Sequence, residues 1–373
     1  MLMPSKCLSV VFRNEVVVLR LSISILSVLP LIFSGCASGK TRQEFQVRNA
    51  ILMDTVWEFK LAGDAGSVDD AVNAATGEIE RLDTIFDFYD PDSELSRINT
   101  LADKQAVKVS TDMAYVLEIA LECAEQTGGA FDPSIGAVTL LWRKAQEQNV
   151  LPEKLDIERA LATVGWRNVS LGNYKDNRTV SFATSGLKLD LGGVAKGYAL
   201  DRAVEVIKKY GIDAGLVNAG GEVKCFGKPA GEKDGWVVGI QHPRRGHGKT
   251  IGTLVLKPGA VVSTSGDYER KFTIAGKEFH HLFDPKTGYP ARRCVEASVV
   301  VTAEIESNSG AVADCLSTGL FVSRENALEL TGNLDGTTGL IIVSPKADKL
   351  EVYRNSDFPI SALEPKITER IID

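Results

Sequence analysis

The sequence predicts an α+β fold, in which helices pack on a mixed, mostly antiparallel sheet. Three observations predict it. Segments with the apolar spacing of amphipathic helices recur along the chain, and short segments typical of strands lie between them. In addition, no internal repeat and no long low-complexity linker divides the 373 residues. One large unit is therefore expected, with two lobes as the alternative.

Composition and charge exclude several classes of function. The hydrophobic fraction of 44% and the charged fraction of 24% are those of an ordinary globular protein. A formal net charge of -7 leaves no basic face for nucleic acid. Four histidines are too few for a zinc site built from several of them, and the six cysteines form no CxxC pair. Whether the later cysteines form disulfides is left open by the sequence.

The N-terminus has the pattern of an export signal. Residues 16–33 form an apolar run of about the length of a signal-peptide core, followed by small residues and Cys36. This ending resembles a lipobox, so residues 1–36 are interpreted as a lipoprotein signal peptide with Cys36 acylated. An uncleaved membrane anchor is the alternative. The polar segment 37–48 is interpreted as a tether, and 49–373 as the folded domain.

The position after the cysteine refines the expected location. Ala37 stands where an Asp would favour retention at the inner membrane. The prediction is therefore a periplasm-facing membrane lipoprotein, with the outer membrane favoured in a Gram-negative host.

Apolar residues at helical spacing predict the main helices. These helices span 68–86, 110–127, the stretch from Ala195 to Gly211, and 308–322, with a further charged helical stretch after Trp142. Ser110 or Thr111 caps the second helix, and Gly211 ends the third. A turn cluster at 89–93 separates the first two, because Pro91 and its neighbouring Asp residues disfavour helix.

Apolar and β-branched residues predict the strands. The predicted strands are 50–62, 168–171, 179–183, 187–191, 214–218, 236–240, 251–256, 260–264, 271–275, 295–303 and 338–343.

Two glycine-containing clusters are candidates for ligand binding. In the segment 127–133, two glycines permit close backbone approach before Phe131 and Asp132, although a helix C-cap with a proline turn also explains the glycines. In the segment 189–197, a strand, a double-glycine turn and a helix N-terminus carrying Lys196 form a potential phosphate cradle. This pattern matches neither GxGxxG nor a P-loop.

Two further clusters carry side chains suited to catalysis or metal binding. His281 follows a predicted strand and precedes an Asp284-Pro turn, and an imidazole of near-neutral pKa is a ready general base, although a loop histidine is more often a solvated surface group. Asp314, Ser317 and Thr318 share one helical face at spacing i, i+3, i+4. Such oxygen ligands suit a hard cation such as Mg²⁺, while a merely polar helix face is the alternative reading.

Taken together and in order, these clusters resemble the ApbE family of FAD:protein FMN transferases. The resemblance runs from about Met53 to about residue 345. Further segments that support it are 52–55, 89–99, 218–221 and 263–268. It implies an ApbE-like fold, related to the T-fold, with FAD as substrate and Mg²⁺ as cofactor.

The resemblance also implies roles for individual residues. It implies magnesium ligation by the main-chain carbonyl of Gly193 and by Asp314 and Thr318. Ser317 falls where some relatives have Asp, and Asp54 stands where Gly is usual, so a side chain there would narrow the pocket or alter how the flavin sits. The implied FAD contacts are Met53, Tyr89, Ala130, Phe131, Asp132, Asp190, Lys196 and Phe283.

The expected reaction is phosphoryl transfer, in which a Ser or Thr hydroxyl of an exported acceptor attacks the FMN phosphorus and AMP leaves. Lys196 and Mg²⁺ supply positive potential, and His281 is the candidate base, oriented by Asp284. The acceptor implied is a subunit of a redox complex with a short Ser/Thr flavinylation motif. Two alternatives remain open from the sequence: an FAD pyrophosphatase that passes FMN to water, and a lipoprotein that stores FAD.

Overall fold

The structure, a computed structural model, describes the greater part of the chain after residue 43. The expected signal peptide 1–36 with Cys36, and most of the expected tether 37–48, lie outside the described residues, so these expectations stay predictions. The described residues are 44–175, 177–228, 235–246, 248–292, 294–302, 308–323, 328–346, 349–365 and 367–372.

Helices and strands both contribute substantially, as the α+β prediction requires. The helices are α1 (Ala65–Phe86), α2 (Glu94–Leu101), α3 (Thr111–Gln126), α4 (Gly136–Gln148), α5 (Lys154–Leu161), α6 (Ala195–Lys209), α7 (Ser309–Ser323) and α8 (Leu328–Gly332). The strands are β1 (Phe45–Leu52), β2 (Thr55–Ala62), β3 (Val107–Lys108), β4 (Val169–Tyr174), β5 (Asn177–Phe182), β6 (Gly215–Ala219), β7 (Glu222–Phe226), β8 (Trp236–Gln241), β9 (Thr250–Leu256), β10 (Val261–Gly266), β11 (Lys271–Ile274), β12 (Lys277–His280), β13 (Cys294–Val301), β14 (Thr337–Lys346), β15 (Lys349–Arg354), β16 (Ile360–Leu363) and β17 (Thr368–Ile371).

One large sheet organises the described residues. Its order is β1-β2-β6-β7-β10-β13-β14-β15-β17, and its neighbours are antiparallel except for the parallel pair β15 and β17. This confirms the predicted mostly antiparallel sheet. Smaller sheets are formed by β16-β9-β8, by β3-β5-β4 and by the hairpin β11-β12.

The large sheet is covered on both faces, as β13 shows. Every residue of β13 is buried, although side chains alternate between the two faces of a strand. Val299 and Val301 belong to the core shared with α1, α3, α6 and α7, while Val300 belongs to the core shared with β8 and β9. The sheet therefore lies between a helical layer and the small sheet β16-β9-β8.

Side-chain caps start the first three helices where the sequence allows. Asp64, Ser93 and Ser110 each precede a helix and accept a hydrogen bond from a backbone N–H in its first turn. The predicted helices 68–86 and 110–127 and the Ser110 cap are confirmed. The helix from Ala195 is also confirmed, and Gly211 follows it with φ of 81°.

Two predicted strands need correction. The segment 50–62 is part of a hairpin, because Met53 and Asp54 both have positive φ and turn the chain between β1 and β2. Strand β1 begins at Phe45, so the end of the expected tether belongs to the sheet.

The segment 187–191 is not a strand. It is extended but makes a single isolated bridge, from Lys188 to Ile135. The side chain of Asn99 satisfies the backbone of Leu189, donating to Leu189 O at 2.8 Å and accepting from Leu189 N at 2.7 Å, while Lys188 O accepts from Gly136 N at 3.0 Å and Asp190 N donates to Pro133 O at 2.8 Å. An apolar run bounded by glycine does not distinguish a sheet strand from a buried segment that is held by a side chain and by single backbone hydrogen bonds.

The described cysteines Cys123, Cys225, Cys294 and Cys315 are all buried, and Cys123, Cys225 and Cys315 are free thiols, which answers the open question of disulfides for these three. Among the helices that the structure describes, none has the length and apolarity needed to cross a bilayer.

Candidate active site

The candidate site lies where α6 and α7 cross. The helices approach closely at Gly197 and Gly310, because a side chain on either glycine would collide with the backbone of the other. Asp314 is one turn beyond Gly310, and its Oδ2 accepts a hydrogen bond from the Gly197 N–H at 3.1 Å. The N-terminus of α6 therefore already holds an anionic group from its own chain.

This arrangement corrects the expected phosphate cradle. The N–H of Gly192 donates to Asp190 Oδ1 at 2.9 Å, and the N–H of Gly197 donates to Asp314. Two of the backbone donors that the sequence offered to a phosphate are thus committed to carboxylates of the protein.

Gly193 brings the two glycine-rich clusters together. A Cβ at Gly193 would lie 3.1 Å from the Phe131 ring and 3.2 Å from Thr318 Oγ1. Phe131 and Thr318 come from the loop after α3 and from α7, so Gly193 marks the point where three segments meet. Glycine suits this position because a Cβ here would fit only if Phe131 or Thr318 moved by a few tenths of an ångström.

Lys196 lies inside the site but is not a free cation. Its Nζ forms an ion pair with Glu222 and lies 3.8 Å from Asp314 Oδ1. Burial lowers the pKa of Lys196, but Asp314 and Glu222 outweigh burial and raise it above the usual value. Burial raises the pKa of Glu222 to about 8, with Asp314 adding to the shift and Lys196 opposing it.

A network of hydroxyls lies behind Asp314. Ser317 Oγ contacts Ser265 Oγ at 2.8 Å and Ser263 Oγ at 3.3 Å, and it donates to the Asp314 carbonyl at 3.0 Å. Thr318 Oγ1 lies 3.3 Å from Ser265 Oγ. Because Ser317 is fully buried in this network, Thr318 is the hydroxyl that faces Gly193.

His281 follows β12 and keeps a neutral imidazole. Burial, with smaller contributions from Arg270, His280 and Lys196, lowers the pKa of His281 to about 3, and hydrogen bonding with the Arg270 backbone acts in the opposite direction. Its Nδ1 is buried and has no hydrogen-bond partner among the described residues. Such a nitrogen is available to take up a proton from a bound molecule.

Tyr89 and Asp190 lie on the outer side of the site. The Tyr89 ring is half-exposed and carries the Arg143 guanidinium 4.0 Å from its centroid. Burial and then the charge of Asp190 raise the pKa of Tyr89, with a smaller contribution from Asp54. Asp190 Oδ2 accepts from Thr139 Oγ1 at 2.8 Å.

The tip of the β1–β2 hairpin carries Met53 and packs on the β6–β7 turn at Gly220. Gly220 donates its N–H to Val56 O at 3.1 Å and packs directly on Thr55. The turn of Gly220 leads into Glu222, so the tip that carries Met53 is joined to the strand that supplies the partner of Lys196.

Three predicted site residues have structural partners that the sequence did not indicate. Asp132 is buried and accepts from Ser134 N at 2.8 Å and from Trp166 N at 3.2 Å, so it organises its own loop, beside the buried Ala130. The Phe283 ring stacks on Trp142, with centroids 5.8 Å apart.

Asp284 is the third of these residues. Its Oδ1 accepts from Lys286 N at 2.9 Å, and its backbone O accepts from Gly288 N at 2.8 Å. His281 Nδ1 has no hydrogen-bond partner among the described residues, so Asp284 does not bond to that nitrogen, and the orientation of His281 by Asp284 stays a prediction. Asp284 shapes the turn after the histidine.

Sequence reasoning missed Glu222 and Ser265. Glu222 begins a strand whose charged residues suggested exposure, and its Oε2 is a buried oxygen without a partner among the described residues. Ser265 lies in a segment that supported the family resemblance but received no role. The signal available in the sequence for the strand that begins at Glu222 was the Gly220-Gly221 pair, because two glycines are typical of a tight hairpin turn.

A family model, curated proteins and solved structures all match this chain. The family model described as the ApbE family matches residues 53–341, which include Gly193, Lys196, His281 and the Asp314 region. This is most of the chain. The chain belongs to the ApbE family. The expected ApbE resemblance and fold are therefore confirmed.

Curated ApbE relatives match over similar lengths. The FAD:protein FMN transferase of Treponema pallidum (strain Nichols) is 30% identical over 327 residues, covering 84% of this chain and 88% of the relative. The FAD:protein FMN transferase of Haemophilus influenzae (strain ATCC 51907 / DSM 11121 / KW20 / Rd) is 33% identical over 300 residues, covering 78% and 84%.

Solved ApbE structures have the same fold. The ApbE protein of Thermotoga maritima aligns with a TM-score of 0.71 at 32% identity, covering 80% of this chain and 94% of that chain. The flavin transferase ApbE of Vibrio cholerae aligns with a TM-score of 0.69 at 24% identity, covering 85% and 98%.

Proposed function

We propose that this chain transfers FMN from FAD to a Ser or Thr hydroxyl of an exported acceptor protein and releases AMP. The observation that carries the proposal is the meeting of Gly193, Thr318, Asp314 and Lys196 at the crossing of α6 and α7, with the charge of Lys196 acting on the neutral His281. Membership of a family whose curated members are named FAD:protein FMN transferases supports the same reaction.

The residues at the crossing fit a magnesium ion. A buried carboxylate (Asp314), a hydroxyl (Thr318) and a main-chain carbonyl (Gly193) are oxygen ligands of the type that Mg²⁺ prefers. Among the described residues no group of three or more His, Cys, Asp or Glu could hold a metal. The magnesium site proposed here does not need such a group, because Asp314 is its only carboxylate and the other two ligands are a hydroxyl and a carbonyl oxygen. Bound there, Mg²⁺ would offset the charge of the FAD diphosphate.

In the proposed reaction the acceptor hydroxyl oxygen bonds to the FMN phosphorus. The bond from that phosphorus to the bridging oxygen breaks, and AMP leaves with the bridging oxygen. His281 takes the hydroxyl proton on Nδ1, which has no hydrogen-bond partner among the described residues. An incoming phosphate anion raises the pKa of His281, because negative charge stabilises the imidazolium.

The remaining residues would bind and orient FAD. Phe131, buried beside Gly193, would form an apolar wall of the FAD site, and the half-exposed Tyr89 would offer an aromatic face. Met53 lies at the hairpin tip nearby. Lys196 would hold Asp314 and Glu222 in place as well as contribute positive charge.

The location is part of the proposal. We propose that Cys36 is acylated and that the folded domain faces the periplasm, where a subunit of a redox complex carrying a Ser/Thr flavinylation motif is the acceptor. Mass spectrometry of the full chain before and after Cys36→Ser tests the anchor. The expected change is loss of the lipid mass and of membrane association.

The activity is tested with the full chain in detergent, FAD, Mg²⁺ and a candidate acceptor. The expected result is an acceptor that gains the mass of FMN less water, fluoresces in a gel, and appears together with AMP. A matched pair of hydroxyl variants tests the metal ligands: Thr318→Val should raise the Mg²⁺ concentration needed for transfer, whereas Ser317→Ala should not.

Other outcomes contradict the proposal in different ways. Conversion of FAD to FMN and AMP without modification of any acceptor in a panel would identify a pyrophosphatase. Tight FAD binding without turnover across the same panel would identify a storage protein.

A further inference from the structure

Arg270 lies at the open end of the β11–β12 hairpin. In this hairpin Lys271 pairs with His280, so the next position in the register places Arg270 opposite His281. Side chains opposite each other on antiparallel strands lie on the same face. Arg270 and His281 are the first residues beyond the paired strands, so the register brings these two positions together, and the charge of Arg270 acts on His281.

Side-chain contacts of two residues, Asp267 and Tyr268, fix the segment that leads into Arg270. Asp267 receives two hydrogen bonds of 2.6 Å from the guanidinium of Arg244, which is the bidentate geometry of a strong ion pair. Tyr268 donates its hydroxyl to the fully buried Glu296 at 2.8 Å. An exposed arginine on so well anchored a segment has a defined position from which to meet a ligand.

The balance of charge shows what Arg270 can bind. Lys196 already contacts Glu222 and Asp314, so its ammonium group is engaged by two acidic side chains of the protein. Arg270 is exposed, and within the described residues its guanidinium has no ion-pair partner. Its charge nevertheless acts on Tyr89, Lys196, His281 and Asp314, which come from four different segments around the site.

We propose that Arg270 binds the diphosphate of FAD through its guanidinium, next to the phosphorus that the acceptor attacks. This role rests on the proposed function and adds a positioning cation to it. A guanidinium forms two parallel hydrogen bonds to phosphate oxygens, which orients the group as well as neutralising it. The proposal needs a cation that is anchored through its backbone and whose charge is not already paired, and Arg270 meets both conditions.

The test compares Arg270→Gln and Arg270→Lys with the neighbouring Lys271→Gln in the full chain. The readout is equilibrium binding of ADP, FAD and riboflavin, which separates the diphosphate from the flavin. Arg270→Gln should weaken ADP and FAD binding about 10- to 100-fold, because a hydrogen bond to a charged group is lost. Arg270→Lys should recover part of this loss, because lysine keeps the positive charge but cannot form the two parallel hydrogen bonds of a guanidinium.

Two controls distinguish the loss of a phosphate contact from a general disturbance of the site. Lys271→Gln removes an equal charge from the adjacent exposed residue and should leave all three affinities unchanged. Riboflavin has no phosphate, so its affinity should be the same in Arg270→Gln and wild type. Unchanged ADP binding in Arg270→Gln, or an equal loss of riboflavin binding, would overturn the proposal.

The same data separate this proposal from the proposed function. If wild type binds ADP and FAD but modifies no acceptor, FMN transfer fails and the affinities of Arg270→Gln still decide the role of Arg270. If wild type binds neither ligand, both proposals are overturned.

Discussion

Asp314 of α7 accepts a hydrogen bond from the backbone N–H of Gly197 at the start of α6. The contact is possible because α6 and α7 cross at Gly197 and Gly310 without side chains between them. It keeps a carboxylate in a buried position, where the positive end of the α6 dipole stabilises its charge. Helix packing and the candidate metal site are therefore coupled through one residue.

The first prediction concerns the charge of Asp314. Asp314→Asn keeps an oxygen for the Gly197 N–H but removes the carboxylate, so the protein should fold while transfer falls about 100-fold or more. Mg²⁺ titration of the transfer rate checks this, with Ser317→Ala as the control. Wild-type Mg²⁺ dependence in Asp314→Asn would show that Asp314 is not a ligand.

The second prediction concerns the space at Gly193. In Gly193→Ala the new Cβ meets the Phe131 ring at 3.1 Å and Thr318 Oγ1 at 3.2 Å, so the free energy of unfolding should fall by about 1–3 kcal/mol. Thermal unfolding measures it. The control is Gly77→Ala, since Gly77 is exposed within α1 with nothing near its Cβ, and this variant should gain about 1 kcal/mol. Equal effects of the two variants would contradict the prediction.

The third prediction concerns the hairpin tip. Asp54 has φ of 58°, a left-handed conformation that costs a residue with a side chain free energy. Asp54→Gly should therefore raise the free energy of unfolding by about 1 kcal/mol, as measured by urea denaturation. Asp54→Ala keeps the side-chain penalty without the charge and should not stabilise. Stabilisation by Asp54→Ala would assign the effect to charge instead.

The fourth prediction concerns Glu296, whose pKa burial raises from 4.5 to about 8. Because the protonated form is favoured in the folded state, its stabilising effect is complete below about pH 4.5 and is lost as pH rises towards about 8. Relative to Glu296→Gln, wild type should lose on the order of a few kcal/mol of unfolding free energy over this window. Denaturation at pH 5 and pH 8 tests it, and parallel curves would contradict it.

The fifth prediction concerns His281. Since burial lowers its pKa to about 3 in the enzyme without FAD, the imidazole stays neutral as pH falls through the ordinary value of 6.5, and kcat/KM for FAD should show no acidic limb there. His281→Asn should lower kcat about 100-fold or more while the Kd for FAD stays near wild type. A limb centred near 6.5 in the wild-type pH profile would contradict this protonation state.

The sequence by itself determined the local features. The helices at 68–86 and 110–127 follow from apolar spacing and a Ser110 cap, which depend on residues within a few turns of each other. The glycine-rich segments and their ApbE order indicated the family. The resemblance to that family also implied Gly193, Asp314 and Thr318 as one set of magnesium ligands, which stays a prediction.

Only the tertiary structure decided which charges meet. Strand β7 was missed because Glu222 and Lys224 suggest an exposed segment, yet both are buried, each paired with a residue of α6: Glu222 with Lys196 and Lys224 with Asp201. The pairing of Arg270 with His281 likewise depends on hairpin register. Such contacts join residues far apart in the chain, so local periodicity does not predict them. Packing in the folded protein alone determines whether a charged side chain is buried with a partner or exposed.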